Sequence, residues 1–140
     1  MVFGHVAART LVTIVSQKEG TAKTTTAAAL GVLLARSGTP THLIDIDPQA
    51  SLTRAFGLAD ETDGLYRSLI DRAGLPVRTV SQNLTLTPST IELGRAETEL
   101  LSETGREFFL RTSLEKTALP TIRSCCSTVR RRWECFRSIV

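Results

Sequence analysis

Two lysines, Lys18 and Lys23, bracket Glu19-Gly20-Thr21-Ala22 and are followed at once by Thr24 and Thr25. The run lies between a β-branched apolar stretch, Thr10–Val15, and an Ala- and Leu-rich stretch, Thr24–Arg36. A loop that joins a strand to a helix aims free backbone N–H groups and the positive end of the helix dipole at an anion. In such a loop Lys23 is placed to reach the β- and γ-phosphates of a nucleotide, and Thr24 to offer its hydroxyl to Mg²⁺. Gly20, Thr21 and Thr25 belong to the same cradle. The chemistry is phosphate binding. The common GxxxxGK[ST] pattern is not met, because Gln17 and Ala22 stand at its two glycine positions.

Further on, Leu43-Ile44-Asp45-Ile46-Asp47-Pro48-Gln49 places two acids at the C-terminal end of a second apolar run, Thr41–Ile46. Open α/β sheets hold their ligands at that end of the strands. The bland alternative is a strand-terminal turn built by Asp47-Pro48. Either way, both candidate groups need the same scaffold. Thr10–Val15 reads as a buried strand, Ser16–Lys23 as a loop, and Thr24–Arg36 as a helix with Leu30, Leu33 and Leu34 on one side. Gly38 and Pro40 stop that helix, and Thr41–Ile46 is the next strand. Strand, loop, helix and strand within this span make the βαβ unit of a parallel sheet.

Ala50–Gly57 and Asp63–Arg72 are expected as short helices and Asn83–Thr87 as a strand closed by Pro88. Ile91–Lys116 has helical spacing, with Gly94 and Gly105 as candidate interruptions. The expected fold class is α/β: a P-loop NTPase-like parallel sheet flanked by helices, and incomplete.

The lysine run resembles the deviant Walker A motif, KGGxGKT[ST], and the Leu43–Gln49 run resembles the LLIDxDPQG signature of the ParA/Soj partition ATPases. Leu86-Thr87-Pro88-Ser89-Thr90-Ile91-Glu92-Leu93 resembles that family's PATIDLAGAE region. Thr104-Gly105-Arg106-Glu107, with Leu110 and Leu114, resembles the helix that follows it. The resemblance covers residues 10–119. It implies an ATP- and Mg²⁺-dependent ATPase that forms an ATP-dependent homodimer, associates with DNA without sequence preference and works with a ParB-type partner. It also implies a bacterial, cytoplasmic, nucleoid-associated protein. Lys18 would be the signature lysine that reaches the partner subunit's nucleotide. Asp47 would be the switch aspartate that positions the attacking water, and Asp45 would lie beside the metal. A MinD-like membrane ATPase is the related alternative, and it would need an amphipathic C-terminal helix that is not readable here.

Three departures point to an impaired copy, or to a catalytically dead fragment. Glu19 replaces a glycine that lies against the phosphates. Ala22 replaces the glycine before Lys23, at a cost of roughly 1–2 kcal/mol if that site needs a positive φ. The third departure is the stretch after Pro120. Residues 121–140 hold all three cysteines, the one Trp, five Arg and one Glu. They carry +4 of a net charge of +3, which leaves residues 1–119 near neutral at −1. Back-translated and read two bases out of phase, residues 120–136 can encode Tyr-Asp-Thr-Val-Leu-Leu-Leu-Asp-Cys-Pro-Pro-Ser-Leu-Gly-Val-Phe. The Cys125/Cys126 overlap forces a Leu, and the Trp133/Glu134 overlap forces a Gly eight codons later. That is the family's Walker B strand. Residues 1–120 are therefore expected to be the N-terminal part of the ATPase domain and 121–140 an out-of-frame, disordered tail. The alternative for Arg130–Trp133 is a nucleic-acid patch. Cys125, Cys126 and Cys135 fit no usual zinc spacing.

With 41% apolar and 22% charged residues the composition is that of an ordinary globular domain. No run approaches the roughly 20 apolar residues of a membrane helix. Met1–Arg9 is too short and too broken for a secretory signal.

Overall fold

In the computed structural model the two apolar runs that flank the lysine-rich loop form β1 (Thr10–Val15) and α1 (Lys23–Arg36). The structure describes residues 10–15, 22–59, 62–100, 102–105, 108–117 and 124–129. The remaining elements are β2 (Thr41–Ile46), α2 (Ser51–Ala55), α3 (Leu65–Ile70), β3 (Arg78–Ser81), β4 (Leu84–Thr87), α4 (Leu93–Glu99), α5 (Phe109–Lys116) and β5 (Ser124–Val129). The sheet runs β1-β5-β2-β4-β3. Every pairing is parallel except β3 with β4, which is an antiparallel hairpin at the edge. Sequence reasoning missed β3, because a four-residue edge strand with one half-buried apolar residue, Val80, carries little periodic signal.

β2 is buried at all six positions, as expected of a strand covered on both faces. On one face Leu43 packs with Leu84, Leu86, Leu52 of α2, and Ala27 and Ala35 of α1. On the other, Ile44 and Ile46 pack with Leu65 and Leu69 of α3, Leu93 and Ala96 of α4, and Leu110 of α5. The inward stripe of α1 is Ala27, Gly31 and Ala35, not the side on which Leu30, Leu33 and Leu34 were grouped. Leu33 is 63% exposed. The reason is closeness: a Cβ built on Gly31 would lie 2.8 Å from a Leu43 methyl. Small residues let the helix axis approach the sheet, and the leucines move to its flanks. Gly94 does not interrupt the third helical stretch, since it lies inside α4. The break comes after Glu99, and Gly105 takes a left-handed φ of 77° there.

The largest departure from expectation is β5. Residues 124–129 were expected in a disordered tail outside the domain; instead they form a strand between β1 and β2. Ser-Cys-Cys-Ser-Thr-Val has no charge, Pro or Gly, and it offers a backbone ladder to two strands that would otherwise face each other unpaired. β1 joins the rest of the described sheet through β5 alone. Residues 121–123 and 130–140 lie outside the described residues, and so does Arg130–Trp133.

His42, in the middle of β2, is fully buried. Thr87 Oγ1 donates to the Pro76 carbonyl at 2.9 Å, so it accepts from His42 Nε2, 2.9 Å away. Nδ1 is then the acceptor for the Thr85 hydroxyl at 2.8 Å. Burial lowers the imidazole pKa to about 4 from 6.5. Above pH 6.5 both folded and unfolded chains hold this histidine neutral. As pH falls toward 4, only the unfolded chain takes up the proton, so folding loses roughly 2–3 kcal/mol across that window. Urea unfolding at pH 7 and pH 4.5 should show this loss in the native chain and a loss smaller by that amount in His42→Gln. Equal losses in the two chains would refute the assignment.

Candidate functional site

The last ladder positions of three adjacent strands, β1, β5 and β2, are in register. Val15 pairs with Val129, and Val129 with Ile46. The chain segments leaving β1, β5 and β2 therefore emerge side by side at one edge of the sheet. Thr87 of β4 ends two residues lower, opposite Ile44. This is the C-terminal edge, where crossover connections leave a crevice for ligand.

At that edge α1 begins with Lys23, Thr24 and Thr25, preceded by Ala22. Ala22 takes the left-handed conformation, with φ 56° and ψ 20°. The site does require a positive φ, and an alanine occupies it. The first intrahelical bond runs from Thr26 N–H to the Ala22 carbonyl at 2.8 Å. The N–H groups of Lys23, Thr24 and Thr25 lie in the first turn of the helix, where partners come from outside the helix's own ladder. Ala22, at the N-cap, gives this 14-residue helix no side-chain capping bond. That fits an anion-binding terminus. Lys18, Glu19, Gly20 and Thr21, the rest of the predicted cradle, lie outside the described residues.

The second candidate group follows β2. Asp45 is fully buried. One of its oxygens accepts the Thr53 backbone N–H at 2.9 Å and the Thr53 hydroxyl at 2.7 Å. The other accepts the Asp47 backbone N–H at 3.2 Å. Asp45 thus caps α2 from a distance, a task the residue at the N-cap, Ala50, has no side chain to perform. Asp47 lies in the connecting turn. Its carboxylate accepts the Gln49 N–H at 3.0 Å and its carbonyl accepts the Ala50 N–H at 2.8 Å, a closed Asx turn. The structure therefore brings Lys23, Thr24, Thr25, Asp45 and Asp47 to one edge. Sequence reasoning missed Thr53, whose signal was only its place in a short helix after the acids.

Ala50 is the mirror case of Ala22, with φ 51° and ψ 35° at the start of α2. An L-residue there costs roughly 1–2 kcal/mol, and glycine gives back about 0.4–1 kcal/mol in unfolded-chain entropy. Ala50→Gly should therefore stabilise the fold by about 0.5–1 kcal/mol. Thermal unfolding of the two chains tests this, and a lower midpoint for the variant would contradict it.

No described helix is long and apolar enough to cross a membrane. The sequence profile of an AAA domain matches residues 9–119. The sporulation initiation inhibitor protein Soj of Bacillus subtilis is 39% identical over 110 residues, covering 75% of this chain and 44% of its own length. The chain thus spans less than half of that curated relative. Among solved structures, a plasmid partition protein from Borrelia burgdorferi superposes with a TM-score of 0.77 at 26% identity, over 88% of this chain and 56% of that one. A cobyrinic acid a,c-diamide synthase from Mycobacterium smegmatis, solved with bound ADP and magnesium, gives a TM-score of 0.77 at 31% identity, over 86% and 50%. With its lysine-headed helix and DPQ turn at one sheet edge and a profile match across most of its length, the chain belongs to the AAA-domain family of Soj/ParA-type partition ATPases.

Proposed function

We propose that this chain is a nucleotide-binding module of a ParA/Soj-type partition ATPase, acting in chromosome or plasmid segregation, and that its own ATP binding and hydrolysis are impaired. The observation that carries the reading is the shared sheet edge, where α1 starts at Ala22-Lys23-Thr24 beside the Asp45–Ala50 turn. In this reading the α1 N–H groups and Lys23 hold the nucleotide phosphates, with Gly20, Thr21 and Thr25 completing the cradle. Thr24, through its hydroxyl, and Asp45 would hold the Mg²⁺ that accompanies ATP. Mg²⁺ bound with the nucleotide supplies charge neutralisation at the phosphates. Asp47 orients the attacking water, and Lys18 reaches the nucleotide of a second subunit. The partners are a second copy in the ATP state, DNA bound without sequence preference and a ParB-type protein, all in the bacterial cytoplasm at the nucleoid.

The impairment has two sources. Glu19 sets a carboxylate in the cradle, and Ala22 strains its last turn. The rival reading, a catalytically dead fragment, is favoured by β5, which occupies the slot between β1 and β2 but ends in Ser127-Thr128-Val129 with no acid. Titration of Mg-ATP into the chain with glycines restored at positions 19 and 22 tests the proposal. Failure of that variant to bind nucleotide with Lys23 intact would reject nucleotide binding and leave the dead-fragment reading.

A further inference from the structure

Thr53 belongs to no phosphate-binding motif read from the sequence, yet it is 1% exposed and sits at the centre of a hydrogen-bonded chain. Its hydroxyl donates to Asp45 Oδ2 at 2.7 Å and accepts the Ser89 backbone N–H at 2.9 Å. The directions are fixed, because a backbone N–H can only donate to the hydroxyl, whose own single proton is then directed at the carboxylate. The same Asp45 carboxylate accepts the Asp47 backbone N–H through Oδ1. One hydroxyl therefore ties the loop leaving β4 to the acid at the end of β2, and through it to the turn that holds Asp47.

Packing does not make this connection redundant. A cavity of about 340 Å³ opens beside it, lined by Pro48, Gln49 and Ala50 on one side and Ser89 and Thr90 on the other. Ser89 Oγ is buried there with no hydrogen-bond partner among the described residues. The two loops are held across this space by the Thr53 hydroxyl. Capping of α2 needs less: the Thr53 backbone N–H alone satisfies that role at 2.9 Å from Asp45. The hydroxyl is an additional device.

We propose that Thr53 is a positioning residue that fixes the Asp47 turn through Asp45 and couples it to the Ser89 loop. Its bearing on catalysis rests on the proposed ATPase reading. The geometric claim does not, and the experiment separates them. Thr53→Val keeps the shape and the backbone bond to Asp45 but removes both hydroxyl bonds. Thr53→Ser keeps them. Amide hydrogen exchange on the full chain should be about tenfold or more faster at Ser89, Gln49 and Ala50 in Thr53→Val, with Leu43, Ile44 and Leu86 unchanged. Thr53→Ser should restore the native rates. Unchanged rates at Ser89 and Ala50 would overturn the proposal. So would equal acceleration at the strand amides, which marks simple loss of global stability. If Thr53→Val does not fold, Thr53→Cys, with a weaker donor, should give a smaller acceleration at the same three amides, and no acceleration there overturns the proposal.

A second arm uses the chain with glycines at positions 19 and 22. There Thr53→Val should leave ADP affinity within about threefold but lower the preference for ATP over ADP by about tenfold, with Thr53→Ser unaffected. An unchanged preference would overturn the link to Asp47. Absence of any nucleotide binding in the loop-restored chain rejects the proposed function, while the exchange rates still decide the role of Thr53.

Discussion

A chain carrying Glu19→Gly together with Ala22→Gly is expected to bind Mg-ATP more than a hundredfold tighter than the native chain. The larger part comes from charge. A carboxylate about 4–5 Å from a phosphate costs on the order of 3–4 kcal/mol per charge pair at an effective dielectric near 20, and a hundredfold corresponds to about 2.7 kcal/mol. The smaller part is conformational. Ala22 sits at φ 56°, where glycine is unstrained, so the second change relaxes the turn against which α1 starts. Lys23→Ala in the doubly substituted chain should remove the gain, because Lys23 supplies the cationic contact at the head of α1. Calorimetric titration measures all three chains. Tight binding by the native chain would show that Glu19 does not face the phosphates.

The parts of this molecule that were legible in the sequence are those where one local rule dominates. TLVTIV and THLIDI are short, apolar and β-branched, and they became β1 and β2 with their expected bounds. The requirement for a positive φ at Ala22 was stated as a condition, and the backbone meets it. Where tertiary packing chose among local options, the reading failed. Nothing local says that Gly31 rather than Leu33 faces the sheet; that depends on how near Leu43 stands. Nothing in Thr53 announces that a carboxylate eight residues earlier and an amide 36 residues later meet on its hydroxyl. The Ser124–Val129 stretch misled for a different reason. Its composition suits a strand, but the cysteines within it and the arginines that follow are foreign to an α/β domain. The opening between β1 and β2 is what selects it as β5.

Steady ATP hydrolysis by the loop-restored chain is expected to stay near background, and restoring the alternative reading frame past Pro120 should raise it more than any point change within residues 1–120. The strand slot itself is not the missing part, since β5 already bridges β1 and β2. What the native sequence lacks is chemistry at the end of that strand. Thr128 stands in register with Ile14 of β1 and Asp45 of β2. In the shifted frame, Val-Leu-Leu-Leu-Asp replaces Ser-Cys-Cys-Ser-Thr there, and it brings a carboxylate to the sheet edge that carries Lys23, Thr24 and Asp47. Phosphoryl transfer depends on positioned charge around the metal and the attacking water. A neutral Ser-Thr end leaves one side of that shell without an acid. The shift also replaces the Arg-rich run with Cys-Pro-Pro-Ser-Leu-Gly, the segment that would leave the strand beside the Asp47 turn. The measurement is phosphate release by three chains: native, loop-restored, and loop-restored with the shifted reading continued beyond residue 120. The third should exceed the second by at least about a hundredfold, the scale on which loss of one electrostatic contact to a transition state is felt. Equal rates in the second and third chains would show that the acid at the end of this strand is dispensable and would refute this account of the site.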